Sequence, residues 1–196
     1  MLKFPPDTTF LSQVLYEGIL YLCKDYATQI SLNSISLKDK AFQEAFRDLD
    51  HEKLSVMRLN MVGNDTINRK LPQALNIGRL PDKKTFQSLL AFLKDNNSLI
   101  PTITRDLSIE LMVNSTKGWA LMDTKDKRSG IAAPQILKAD RYTGFTSMEE
   151  DLVNRQLTFY ISAEVSLITL LGLYSSYVTS VRVEKQSYTY FLFFSP

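Results

Sequence analysis

The single histidine of the chain, His51, stands in the run Asp48-Leu49-Asp50-His51-Glu52. Carboxylates one and three residues away can orient an imidazole and raise its pKa, as general-base chemistry requires. Clustered carboxylates are also what a metal-dependent nuclease uses to hold its ions. On a helix, however, Asp48, Asp50 and Glu52 do not share one face. The simpler reading is a polar boundary between two helical segments, with Asp50 as an N-cap. The single cysteine, Cys23, has Lys24 beside it, and a neighbouring cation can lower a thiol pKa. Its place behind Leu20-Tyr21-Leu22 reads instead as a partly buried filler. One histidine and one cysteine do not make a conventional protein-ligated zinc site, and no cofactor is expected.

Phosphate chemistry has no support from glycine. Gly63, Gly78, Gly118, Gly130, Gly144 and Gly172 are isolated, with neither a dinucleotide fingerprint nor a glycine-rich loop ending in Lys-Ser/Thr. No nucleophile elbow surrounds a serine. What remains is two basic stretches. Residues 64–94 hold Arg69, Lys70, Arg79, Lys83, Lys84 and Lys94 against Asp65 and Asp82, a local +4. Residues 117–141 hold Lys117, Lys125, Lys127, Arg128, Lys138 and Arg141 against Asp123, Asp126 and Asp140, a local +3. Such stretches can follow a phosphate backbone, and Tyr142 offers a ring for stacking. The nucleic-acid candidates are therefore Lys125, Lys127, Arg128, Lys138, Arg141 and Tyr142, with Arg69, Lys70, Lys83 and Lys84. The competing reading is an ordinary solvated surface. Residues 142–164 are opposite in sign, with Glu149, Glu150, Asp151 and Glu164 against Arg155, a local −3 that suits a protein neighbour.

These residues need elements to position them. Residues 10–26 read as a helix with Phe10, Val14, Gly18 and Leu22 on one face. Residues 31–36 read as a connector. Residues 37–49 read as a helix with Ala41, Phe42, Ala45, Phe46 and Leu49 as its stripe, and 53–61 continue an apolar pattern. A short helix is expected over 64–71, and another over 83–94 with Phe86, Leu89, Leu90 and Leu93 on one face. The second half changes character. Residues 107–113 and 119–122 form a hairpin pattern around Asn114-Ser115-Thr116-Lys117-Gly118. Residues 124–145 are read as a long loop, and 157–161 as a short strand. Residues 163–177 are apolar nearly all round and read as a buried helix. Residues 178–183 and 187–194 read as two strands joined through Glu184-Lys185-Gln186. The expected fold is α+β: a mostly helical region 1–100 packed on a small antiparallel β unit in 101–196, together one composite domain or part of a longer protein.

The chain has 196 residues, 44% hydrophobic, 11% aromatic and 22% charged. That composition excludes a disordered tail, and the length suffices for a core without metal or disulfide. Twenty-three Lys and Arg against 21 Asp and Glu give +2, which excludes DNA binding by bulk basicity. A lone cysteine, no leader-like start and a longest apolar stretch of 14 residues, 165–178, point to a cytoplasmic protein without a membrane span. The chain ends in Tyr188-Thr189-Tyr190-Phe191-Leu192-Phe193-Phe194-Ser195-Pro196. Either this strand is central to the fold or the natural chain continues past Pro196. Eleven Phe and nine Tyr also offer a surface for a partner or for self-association.

Residues Lys138-Ala139-Asp140-Arg141-Tyr142-Thr143-Gly144-Phe145-Thr146-Ser147, followed by the helix through Leu170-Leu171-Gly172-Leu173-Tyr174, resemble large-subunit proteins of archaeal type I CRISPR interference complexes, the Cas8a kind. The resemblance covers roughly residues 105–196. Such large subunits are longer than this chain. The resemblance implies a non-enzymatic subunit of a ribonucleoprotein complex that contacts nucleic acid and other protein subunits in antiviral defence, while a separate enzyme cuts. The alternatives are a structural or interaction module with no nucleic-acid role, and a small metal-dependent nuclease centred on His51, Asp48 and Asp50.

Overall fold

The computed structural model describes residues 2–3, 10–31, 34–58, 71–75, 86–102, 111–114, 119–122, 131–132 and 158–194. In chain order these form β1 (Leu2–Lys3), α1 (Phe10–Asp25), β2 (Ala27–Ser31), β3 (Ser34–Leu37), α2 (Ala41–Arg47) and α3 (His51–Val56). Then come α4 (Leu71–Ala74), α5 (Phe86–Asp95), a 3-10 turn (Asn97–Leu99), β4 (Leu111–Asn114), β5 (Trp119–Met122), β6 (Ile131–Ala132) and β7 (Thr158–Ile161). The chain finishes with α6 (Ala163–Ser176), β8 (Tyr177–Val183) and β9 (Gln186–Phe191). Helices plus small sheets make this an α+β fold.

Helix α6 is the axis of the core. Its residues from Val165 to Tyr174 are all buried, whichever side they face. An all-round apolar helix must be covered on every side, and this one is. Ser162 starts it, its hydroxyl accepting from the Val165 N–H at 3.1 Å. Three hydroxyls inside the helix find partners one turn back. Ser166 donates to Ser162 O at 2.9 Å, Thr169 to Val165 O at 2.8 Å and Ser176 to Gly172 O at 2.7 Å. Buried polar groups are therefore satisfied without leaving the helix.

Helix α1 lies along α6, burying Val14, Leu15, Gly18, Ile19 and Leu22 at the spacing of one helical face. Two glycines set the distance. A Cβ on Gly18 would overlap the carbonyl oxygen of Ile168, and a Cβ on Gly172 would overlap that of Val14. Each helix thus offers a bare Cα to the other's backbone. Around this pair pack α2, through Ala41, Phe42, Ala45 and Phe46, and α5, through Phe86, Leu89, Leu90 and Leu93. One apolar cluster joins them with α6, so residues from both halves of the chain share a core.

The first half holds strands as well as helices. The order β1-β3-β2 is antiparallel throughout, with Ile30 opposite Ile35 and Ser31 opposite Ser34. Residues 31–36, expected as a connector, belong to β2 and β3 except for positions 32 and 33, which lie outside the described residues. The polar run masked the pattern, and one buried anchor, Ile35, fixes the register. The helix expected from residue 37 begins at Ala41 because Leu37 ends β3 and the Lys38 N–H bonds to Tyr26 O at 2.9 Å. Helix α3 stops at Val56, since Met57 leaves helical geometry at ψ 135° to bury its side chain.

The larger sheet has the order β4-β5-β7-β6. The expected hairpin is present, Leu111 pairing with Met122 and Asn114 with Trp119. Its neighbour β7 runs parallel to β5, from Trp119–Thr158 to Met122–Ile161, so the β unit is not antiparallel throughout. The stretch expected as one loop over 124–145 is interrupted by β6, where Ile131 pairs with Ile161 and Ala132 with Tyr160. A two-residue strand is too short to show a period of its own.

Candidate interaction surface

All ten residues singled out for nucleic acid, Lys125, Lys127, Arg128, Lys138, Arg141, Tyr142, Arg69, Lys70, Lys83 and Lys84, lie outside the described residues. The groups around His51 are described, and they hold structure. Asp50 caps α3, accepting from Glu52 N at 2.7 Å and Lys53 N at 3.4 Å. Its own N–H donates to the Tyr174 hydroxyl of α6 at 2.9 Å. Asp48 pairs with Arg47 at 2.8 Å and accepts from the Tyr26 hydroxyl at 3.1 Å. The Arg47 guanidinium holds the Asp48 carboxyl below its ordinary range. His51 itself is exposed on the first turn of α3. Among the described residues no group of three or more His, Cys, Asp or Glu side chains is placed to hold a metal ion.

Burial governs the other titratable groups nearby. It pushes the Cys23 thiol up, away from the reactive thiolate. It pushes Tyr21 up to about 12, with Tyr174 and the Asp48 charge adding to the effect. Tyr26 and Tyr174 are raised by the same burial. Tyr21 stacks near Tyr26 at 6.2 Å and meets Tyr174 edge-on at 5.8 Å, and the Lys53 ammonium sits 4.5 Å from the Tyr174 ring centre. These contacts bolt α1, α3 and α6 together.

The exposed chemistry is at the other end of α6, where Tyr177 leads directly into a two-stranded ribbon. Val181 pairs with Tyr188, Thr179 with Tyr190 and Val183 with Gln186. Strand side chains alternate, so these six lie on one face. The opposite face carries Ser180, Thr189, Arg182 and Ser187, and is tied down at its base. The Tyr177 hydroxyl accepts from Arg58 N at 3.1 Å, Ser180 donates to Arg58 O at 3.2 Å, and the Ser180 and Thr189 hydroxyls are 3.0 Å apart. Beyond β9 the alternation continues. Phe191 and Phe193 turn inward, stacked at 6.1 Å against the core, while Leu192 and Phe194 turn outward. Two bonds clip this tail: Leu192 N to Ser176 O at 2.8 Å, and Phe194 N to the buried carboxylate of Glu17 at 2.6 Å.

The outward line of Tyr188, Tyr190, Leu192 and Phe194 is 47–64% exposed, and Val181 and Val183 beside it are 45% and 54% exposed. From 190 to 194 the strand is apolar on both sides, the pattern of one covered on both faces. There the described structure covers only the side of Phe191 and Phe193.

The chain is similar to an uncharacterized protein of Archaeoglobus fulgidus. The two are 44% identical over 181 residues, which are 92% of this chain and 45% of the relative. The chain therefore spans about half the length of that relative. No protein-family model matches the chain, and no solved structure matches it. No helix among the described residues is long and apolar enough to cross a membrane. The sequence flagged the aromatic C-terminal segment as a possible partner surface without resolving which residues face out. The missing signal was the simple odd–even count from 188 to 194, readable once Phe191 and Phe193 are known to face the core.

Proposed function

We propose that this protein is a non-enzymatic subunit of a nucleic-acid-bound protein assembly. The observation that carries the reading is the commitment of the His51 neighbourhood to structure. Asp50 caps a helix and Asp48 pairs with Arg47 and Tyr26, contacts that favour a structural over a catalytic role for both carboxylates. The two basic stretches supply the phosphate-binding half of the proposal. The resemblance of residues 105–196 to CRISPR large subunits supports the same role, and an archaeal relative is in keeping with it. A protein-docking role draws on a specific feature of the fold, the apolar outer face of β8–β9.

Salt separates the two contributions. Phosphate contacts release counterions, so affinity falls steeply with salt, whereas apolar burial does not. Lys127→Ala/Arg128→Ala should weaken binding to single- and double-stranded DNA and RNA about equally and lower the salt slope by about one unit per lost contact. Wild-type affinity and slope on every substrate would retire those residues as a nucleic-acid site. Metal-dependent turnover of nucleic acid, abolished by His51→Ala, would replace the proposal with the nuclease reading.

A further inference from the structure

We infer that the outer face of the β8–β9 ribbon is a self-association surface, closed in solution by the same face of a second copy of this chain. The inference rests on the reading of the protein as an assembly subunit and names one of its partners. Three observations select a second copy. The first is chemistry. The face presents Val181, Val183, Tyr188, Tyr190, Leu192 and Phe194, while Arg182 alternates to the opposite side and Glu184 and Lys185 sit at the turn. A face without cations offers nothing to phosphate, and one without fixed charge meets its own image without repulsion.

The second is symmetry. A two-fold contact sets residue i against j and j against i, so it needs a self-complementary patch. The ribbon supplies aliphatic side chains on β8 alongside aromatic ones on β9, so a two-fold turn can lay the Val181 side of one copy on the Tyr188–Tyr190 side of the other. The third is area. Six half-exposed side chains of this size leave on the order of 600 Å² per copy, approaching the roughly 800 Å² that each partner contributes to a standard interface once a polar rim is added. Thr179, opposite Tyr190, and Gln186, opposite Val183, lie on the same face and are rim residues of that kind. The tail clip keeps the patch in place: Glu17 and Ser176 hold the strand's inner edge to α1 and α6, so the outer face does not need a partner to be ordered.

The test is the mass of the full chain in solution, free of nucleic acid, by sedimentation across a hundredfold concentration range. The wild type should show a concentration-dependent dimer. Val181→Glu and Tyr190→Glu, each burying an unpaired carboxylate in the contact, should weaken it by at least a hundredfold and leave the far-ultraviolet spectrum and thermal midpoint of the monomer unchanged. If either charged variant fails to fold, Val181→Ser/Tyr190→Ser replaces it, with at least tenfold weakening expected. A wild type that stays monomeric throughout overturns the inference, as does a dimer indifferent to these substitutions. Lys127→Ala/Arg128→Ala should remain dimeric, so loss of nucleic-acid binding and loss of the dimer are read separately.

Discussion

Helix α6 and the β8–β9 ribbon follow one another without a loop, at Ser176–Tyr177, and both are strongly apolar. They use that apolar content in opposite ways. Around α6 the surface is closed to the point that two glycines meet opposing carbonyls, and the helix's hydroxyls bond within their own turn. On the ribbon, side chains of equal hydrophobicity stand half in water. The closed region spends its hydrophobic residues on cohesion. The open region keeps its residues for contact, because the strand is ordered from one side, by Leu192 N–H to Ser176 O, by Phe194 N–H to the Glu17 carboxylate and by Phe191 and Phe193 on the core.

The contrast breaks most visibly at Gly172. Alanine there improves intrinsic helix propensity by about 1 kcal/mol, yet its Cβ must displace the Val14 backbone, which has no rotamer to change. Helix separation should dominate, at a net cost of about 3 kcal/mol or loss of folding. Val181→Ser on the ribbon should alter monomer stability by about 0.5 kcal/mol or less. Urea unfolding of both variants provides the comparison, and equal costs would show that the ribbon is as integral to the fold as the helix pair.

A smaller effect separates the same regions by pH. Tyr21, wedged between Tyr26 and Tyr174, ionises near 12 when folded, against about 10 in an unfolded chain. The folded pKa is raised, so the stabilisation is fully present below pH 10 and is lost as pH rises from 10 to 12. Discounted for solvent at a half-exposed ring, the loss is about 1 kcal/mol. Thermal midpoints from pH 9 to 12 should fall faster in the wild type than in Tyr21→Phe. Parallel decline in both proteins would remove Tyr21 from the account.

How far the sequence foretold this arrangement depends on pattern length. Helices α1, α5 and α6 were legible because ten or more residues repeat a face, or in α6 have none to spare. The Asp50 cap was legible from its position alone. Strands β2 and β3 were not, since Thr28, Gln29, Ser31, Ser34 and Ser36 outnumber the single buried anchor Ile35. The parallel pairing of β5 with β7 sets Trp119 opposite Thr158 and Met122 opposite Ile161, far apart in the chain, a choice made by tertiary packing rather than by either strand's own residues. The candidate surface was half legible. Its richness in Tyr and Phe is plain in the sequence, but which of them turn outward depends on Phe191 and Phe193 reaching the core. The basic residues proposed for nucleic acid lie outside the described residues and stand on their own chemistry.

The smallest effect lies at the ribbon's tip. Glu184 adopts φ 55°, the left-handed region, between Val183 and the turn's second residue, Lys185. Hairpin turns place glycine there because a Cβ crowds the following carbonyl. Glu184→Gly should relieve that crowding but release more backbone entropy on unfolding, leaving a gain of about 0.5 kcal/mol. Because, among the described residues, the ribbon is held to the core at its base, the gain should appear as slower amide exchange at residues 181–188 rather than as a higher global stability. If the exchange of α6 slowed equally, the ribbon and the helix core would open as one unit, and the division drawn between them would be geometric and not energetic.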